Sequence, residues 1–256
     1  MLTTEIINET LSPWQQTFQI AYDGTSHTDP NNKGIFGFFV ERLFGILPNK
    51  SREPDLYGVE IKCVGLNERN SAKEISVSII TQAEHLKVCT DTTLGFAQSH
   101  PQQKMSQCLY VFYRRKKDIN GDLWFEIDSW NFVDMSNLSH QDQQQFDYDY
   151  KILAGWLQSK DYTWLREMQG QPNKLTKYLK LGYKGKTDRH TGKKHNQPCW
   201  KFSAKWLQKV QQDGYKHKSK TVYASQTHTS AAQWPDLRSD LPLRAPGFEN
   251  LFICLP

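Results

Sequence analysis

Between residues 35 and 64 the hydrophobic period changes from that of a helix to that of a strand, and this change is the tightest constraint in the chain. Apolar residues at 35, 36, 39, 40, 43 and 44 recur at spacings of three and four. They mark one buried face of a helix over 35–47, which Pro48 would stop. A polar loop over 49–57 follows. Residues 58–64 then alternate as a strand, with Val59 and Ile61 on one face and Glu60 and Lys62 on the other.

The same reasoning predicts strands over 75–81, 108–113, 123–130 and 178–183, the first of them as the neighbour of 58–64. Helices are expected over 138–170 and 203–212. A polar stretch fills 91–107, and a loop rich in Gly, Lys and His fills 184–197. Residues 1–30 read as a polar helical start followed by a turn-rich loop, and the tail from Gln233 is proline-rich. Trp14, Phe18 and Tyr22 fall four apart, a pattern of core packing. This mixture predicts an α/β fold with a central mixed sheet flanked by helices, in two lobes, about 1–135 and 136–256.

Composition narrows the class of protein. A hydrophobic fraction of 38% supports a real core, and no apolar run is long enough to cross a membrane. Met1 to Thr10 hold two glutamates and no basic stretch, which argues against a secretion signal and for a cytoplasmic protein. The five cysteines form no C-x-x-C pair, which argues against both a disulfide framework and a structural zinc site. Charge is divided unevenly. Residues 170–220 carry 14 Lys and Arg against two acids, while the rest of the chain carries 18 against 25. A segment of +12 beside a remainder of −7 suggests that one part faces a polyanion.

The chemistry concentrates in Pro54-Asp55-Leu56-Tyr57-Gly58-Val59-Glu60-Ile61-Lys62. Glu60 and Lys62 project together, and Asp55 reaches the mouth of the same strand. Two converging carboxylates suit a hard, oxygen-seeking cation such as magnesium, with the Ile61 carbonyl as a further oxygen ligand. Lys62 would orient a water and offset charge building on a phosphate. This is the layout of the PD-(D/E)xK nucleases. Glu41, on the preceding helix, would support the metal.

Asn32-Lys33-Gly34-Ile35-Phe36-Gly37-Phe38-Phe39-Val40-Glu41-Arg42-Leu43-Phe44-Gly45 resembles the signature helix of the MutH family. The run Gly58-Val59-Glu60-Ile61-Lys62 after Pro54-Asp55 resembles its catalytic strand. The family contains a strand-nicking endonuclease of mismatch repair and restriction endonucleases that cut at GATC. The resemblance implies a restriction-endonuclease-like fold, two lobes around a DNA cleft, and a magnesium site at Glu41, Asp55, Glu60 and Lys62. It adds Lys104, before a buried strand, as a further lysine near the scissile bond. It is strong over about 32–66, fair over about 100–185 and poor beyond. The gap from Asp55 to Glu60 is shorter than the family's, and the tail from Trp234 has no counterpart.

Double-stranded DNA is then the expected partner, met by Lys33, Lys180, Lys184, Lys186, Arg189, His190, Lys193, Lys194 and Asn196. His195 and Gln197 belong to the same base-reading loop. A type II restriction endonuclease is the favoured role, because the resemblance is confined to the catalytic part. A cognate DNA methyltransferase is then a candidate partner, with monomer and homodimer both open. The rivals are a mismatch-repair nicking enzyme, a non-catalytic DNA-binding module and an RNA-binding protein.

Overall fold

The computed structural model of the protein describes residues 2–22, 24, 25, 28–46, 54–56, 58–160, 174–187 and 194–213, with 186, 187 and 194–196 as backbone alone. The order of its elements is α1 (Thr4–Leu11), α2 (Ile35–Leu43), β1 (Glu60–Gly65), β2 (Ile75–Ile79), α3 (Gln82–Thr90) and α4 (His100–Lys104). These are followed by β3 (Gln107–Lys117), β4 (Leu123–Asp134), α5 (His140–Gln158), β5 (Leu179–Thr187), β6 (Lys194–Phe202) and α6 (Ala204–Asp213).

The strands form two three-stranded sheets, β1-β3-β4 and β2-β6-β5. In the first, β1 runs parallel to β3, and β4 runs antiparallel to it, so this sheet is mixed. The second is antiparallel throughout. The architecture is α/β, with a mixed sheet flanked by helices. β3 is the central plate. Cys108, Tyr110 and Phe112 point into one core and Leu109 and Val111 into the other, and all five are fully buried. Such a strand reads as a continuous apolar run because both its faces are covered.

On one side, α2 lays Phe36, Phe39 and Val40 over Ile61, Leu109 and Val111. Phe18 is fully buried there beside Trp14 and Phe39, at 5.0 and 4.9 Å between ring centroids, whereas Tyr22 is exposed. Core packing at Trp14 and Phe18 therefore holds, but not as a helix, since Phe18 bridges to Phe125 in extended backbone. On the other side, Phe146, Tyr150 and Leu153 of α5 meet Trp200 and Phe202 of β6 and Trp206 of α6. Asp149, fully buried, ties α5 to the start of β5: its carboxylate accepts from the backbone N–H groups of Lys177, Tyr178 and Leu179 at 2.5–3.1 Å.

Several expectations change. The strand at 75–81 is not the neighbour of β1. After a single bridge between Leu66 and Ala72 the chain leaves the first sheet, and β2 pairs with β6. Its Val77 then packs in the core of Trp200 and Phe202. Alternation identifies a strand but not its partner. The second sheet thus draws β2 from ahead of residue 135, and Asn131 of β4 donates to the Val210 carbonyl of α6 at 3.0 Å. The loop expected over 184–197 is largely strand: β5 continues to Thr187 and β6 begins at Lys194. The helix expected to reach 170 ends at Gln158, and residues 161–170 lie outside the described residues. The polar stretch 91–107 contains α4, entered through a Ser99 cap.

Candidate active site

Two local devices place the acidic groups. The first is the turn before β1. Gly58 has φ +87°, a left-handed value that glycine adopts without strain. Leu56 and Val59 exchange two backbone hydrogen bonds across it, at 2.9 and 2.7 Å. This turn folds Asp55 back along the strand, where its Oδ2 accepts from the Ile61 N–H at 2.9 Å.

The second device ends α2. Gly45 has φ +73°, its N–H bonds to the Arg42 carbonyl, and the Ile46 N–H bonds to the Glu41 carbonyl, both at 2.9 Å. That is a Schellman motif. The helix therefore stops on Gly45 rather than running on to Pro48, and the motif grips the backbone of Glu41 itself.

The strand pairing supplies the rest. Glu60 lies opposite Cys108 and Lys62 opposite Tyr110. Glu60 is only 2% exposed. Its Oε1 is paired with the Lys62 ammonium, and Lys104 Nζ stands 3.5 Å from the same oxygen. Lys104 arrives there because α4 leads directly into β3, four residues ahead of Cys108. The second oxygen of Glu60, Oε2, is buried without a hydrogen-bond partner.

The electrostatics follow from this crowding. Burial first, then the Asp55 charge, push the Glu41 carboxyl up to about 7; Glu60 adds to the rise and Lys62 opposes it. For Lys62, burial alone would lower the ammonium, but Glu60 and Asp55 more than offset it and hold the amine protonated. Burial raises the thiols of Cys63 and Cys108 and the Tyr110 hydroxyl, which keeps all three neutral beside the charged groups.

This donor set fits a hard divalent cation in chemistry: it is all oxygen, it is net negative, and one buried oxygen lacks a partner. Among the described residues no three acidic, histidine or cysteine side chains are gathered closely enough to enclose an ion. Asp55 is engaged by Ile61 N–H and one oxygen of Glu60 by two lysines.

Of the other predicted residues, Ile61 is buried and lends its N–H to Asp55. Lys33 is exposed just ahead of α2. Lys180 is half-buried and Lys184 exposed on β5. Lys186, Lys194, His195 and Asn196 belong to β5 and β6 by backbone; Arg189, His190 and Lys193 lie outside the described residues.

Cys108 and Tyr110, which floor the site, and Glu74, just ahead of β2, and Lys201 of β6 escape sequence reasoning. Their places depend on strand register. The one available signal was the buried run from Cys108 to Tyr113.

No protein-family model matches this chain, and no curated protein sequence matches it. Among solved structures it is similar to one described as a complex of restriction endonuclease MvaI with its cognate DNA substrate, at 9% identity and a TM-score of 0.43. The alignment covers 84% of this chain and 98% of that one. None of these comparisons confirms the resemblance to the MutH family, which rests on the quoted residues alone.

Proposed function

We propose that this protein is a magnesium-dependent DNA endonuclease, and specifically a type II restriction endonuclease. The observation that carries the reading is the pairing of a buried Glu60 with a half-buried Lys62 at the start of β1, with Asp55 and Glu41 beside it and one Glu60 oxygen left without a partner. Keeping a carboxylate in that condition costs stability. Perturbed ionisable groups gathered at one point are a mark of a functional site.

Asp55 and Glu60 would hold the metal, with the Ile61 carbonyl and Glu41 in support. Magnesium so held would supply positive charge beside the scissile phosphate and make a water more acidic. Lys62, protonated, donates hydrogen bonds to the attacking water or to a phosphate oxygen, and its charge offsets the negative charge that grows there. Glu41, poised near neutrality, can take up a proton at its carboxylate. Lys104 adds a second positive charge on the same side of Glu60. Lys33 and the lysines of β5 and β6 would face the DNA backbone.

The resemblance to the MutH family suggests GATC, or a site containing it, as the target. A cognate methyltransferase would then protect the host. The test is to incubate the purified protein with methylated and unmethylated plasmid, in magnesium and in EDTA. Discrete magnesium-dependent fragments support restriction. Nicked circles alone would move the role to strand nicking, and DNA that is bound but never cut would leave a binding module.

A further inference from the structure

The outer face of β5 and β6 carries a second charge arrangement that the catalytic reading does not use. Lys180 lies directly opposite Lys201 across the β5–β6 ladder. Two like charges so placed repel, yet both ammonium groups turn towards one acid. Lys180 Nζ is 2.7 Å from Glu74 Oε1, and Lys201 Nζ is 3.8 Å from Glu74 Oε2. Each oxygen of Glu74 therefore faces a different lysine.

The sequence makes room for this. Residue 182 is glycine, and a Cβ there would collide with the Lys201 side chain, which runs across the glycine. The lysines lie along the sheet, each with a side chain 26% exposed, and Glu74 is 39% exposed above them. Farther along the same face, burial pushes the Cys199 thiol up while Lys201 and Lys184 both pull against that rise, so a third ammonium completes the row. Lys180 and Lys184 are four residues apart on one strand, about 13 Å, which is the axial rise of roughly four phosphates of one DNA strand.

A carboxylate that accepts from one ammonium group and draws a second towards its other oxygen presents to them the charge and the oxygens that a phosphate would. We infer that Lys180, Lys201 and Lys184 form a backbone clamp for double-stranded DNA, and that Glu74 is an internal stand-in for a phosphate. In the free protein it holds the ammonium groups of Lys180 and Lys201 together at the sheet surface and lowers their attraction for passing polyanions. On binding, a phosphate takes its place between them. This inference rests on the DNA reading above and deepens it.

The test is fluorescence anisotropy of a labelled duplex lacking the target site, titrated with full-length protein in EDTA at several salt concentrations. Lys201→Gln should weaken binding and reduce the slope of log affinity against log salt by about 1. Glu74→Gln should tighten binding and steepen the slope. Lys151→Gln and Glu68→Gln change the same charges elsewhere on the surface and serve as references; both should stay near wild type. Lys201→Arg keeps the charge and should restore the slope. A lasting loss in that variant would assign the effect to folding and overturn the clamp. The clamp also falls if Lys201→Gln matches Lys151→Gln, or Glu74→Gln matches Glu68→Gln, while magnesium-dependent cleavage persists. A wild-type protein that retains no duplex at any salt would overturn both this inference and the nuclease reading.

Discussion

The Glu60–Lys62 pair of β1 and the Glu74–Lys180 pair beside β5 contain the same two functional groups in different surroundings. Glu60 is buried beside β3 and the end of α4, with one oxygen orphaned, while Glu74 stands at a sheet surface, 39% exposed; the two lysines are exposed alike, Lys62 at 23% and Lys180 at 26%. The first arrangement takes the Glu60 charge out of water, which costs roughly several kcal/mol before the pairing offsets it. The second is screened by solvent and adds about 0–1 kcal/mol. Each pair therefore suits a different task. A pair whose acid is dry and crowded can direct charge at a reacting group, whereas a pair whose acid is wet can exchange it for an incoming phosphate at small cost.

The largest effect should come from the dry pair. Lys62→Ala should lower the cleavage rate by on the order of 10³-fold and also cost stability, about 3 kcal/mol, because Glu60 is left buried without its main partner. Initial rates and denaturant melts on one preparation would measure both. A stability change as small as that of an exposed pair would erase the contrast between the two regions.

Next in size is Asp149, whose carboxylate is the anchor of the second sheet. Asp149→Ala would strand the N–H groups of Lys177, Tyr178 and Leu179. The expected loss is about 3 kcal/mol, read from the same melts.

A third, smaller effect is a dependence on pH. Burial pushes the Glu84 carboxyl up to about 7, against the opposing pull of the Trp200 indole that donates to it at 2.7 Å. The folded state thus holds a proton that the unfolded chain releases near 4.5. Stability contributed by that proton is present below about 4.5 and is lost as pH rises to about 7. Glu84→Gln keeps an acceptor for Trp200 and removes the titration. It should be more stable than wild type above pH 7, by ~2 kcal/mol, and should show no advantage near pH 4. Melts at the two pH values would check the sign.

The smallest effect concerns the wet pair. Glu74→Gln should change stability by less than about 1 kcal/mol while altering DNA affinity, so a large loss of stability would show that the pair braces the fold instead.

What the sequence reveals here follows the range of the forces involved. The helix at 35–43 and the strand at 60–65 were legible because burial imposes its period on neighbouring residues. Asp55, Glu60 and Lys62 could be grouped because a turn and one strand hold them within eight residues. Lys104 came only through the family resemblance, since its approach to Glu60 depends on β3 pairing with β1. The partnership of β2 with β6, and with it the meeting of Glu74, Lys180 and Lys201, spans more than a hundred residues. No local pattern specifies a register of that kind. The end of α2 at Gly45 was within reach, because glycine after a helical run signals a left-handed cap, although Pro48 is the more conspicuous stop.

The most direct test of the account is single-turnover hydrolysis of duplex DNA by the wild type, Lys62→Ala and Glu60→Gln, in magnesium and in EDTA, with melting curves taken on the same samples. The account predicts that the wild type cleaves only with magnesium and that both variants stay folded and lose cleavage. Undiminished cleavage by either folded variant, or cleavage by the wild type in EDTA, would contradict it.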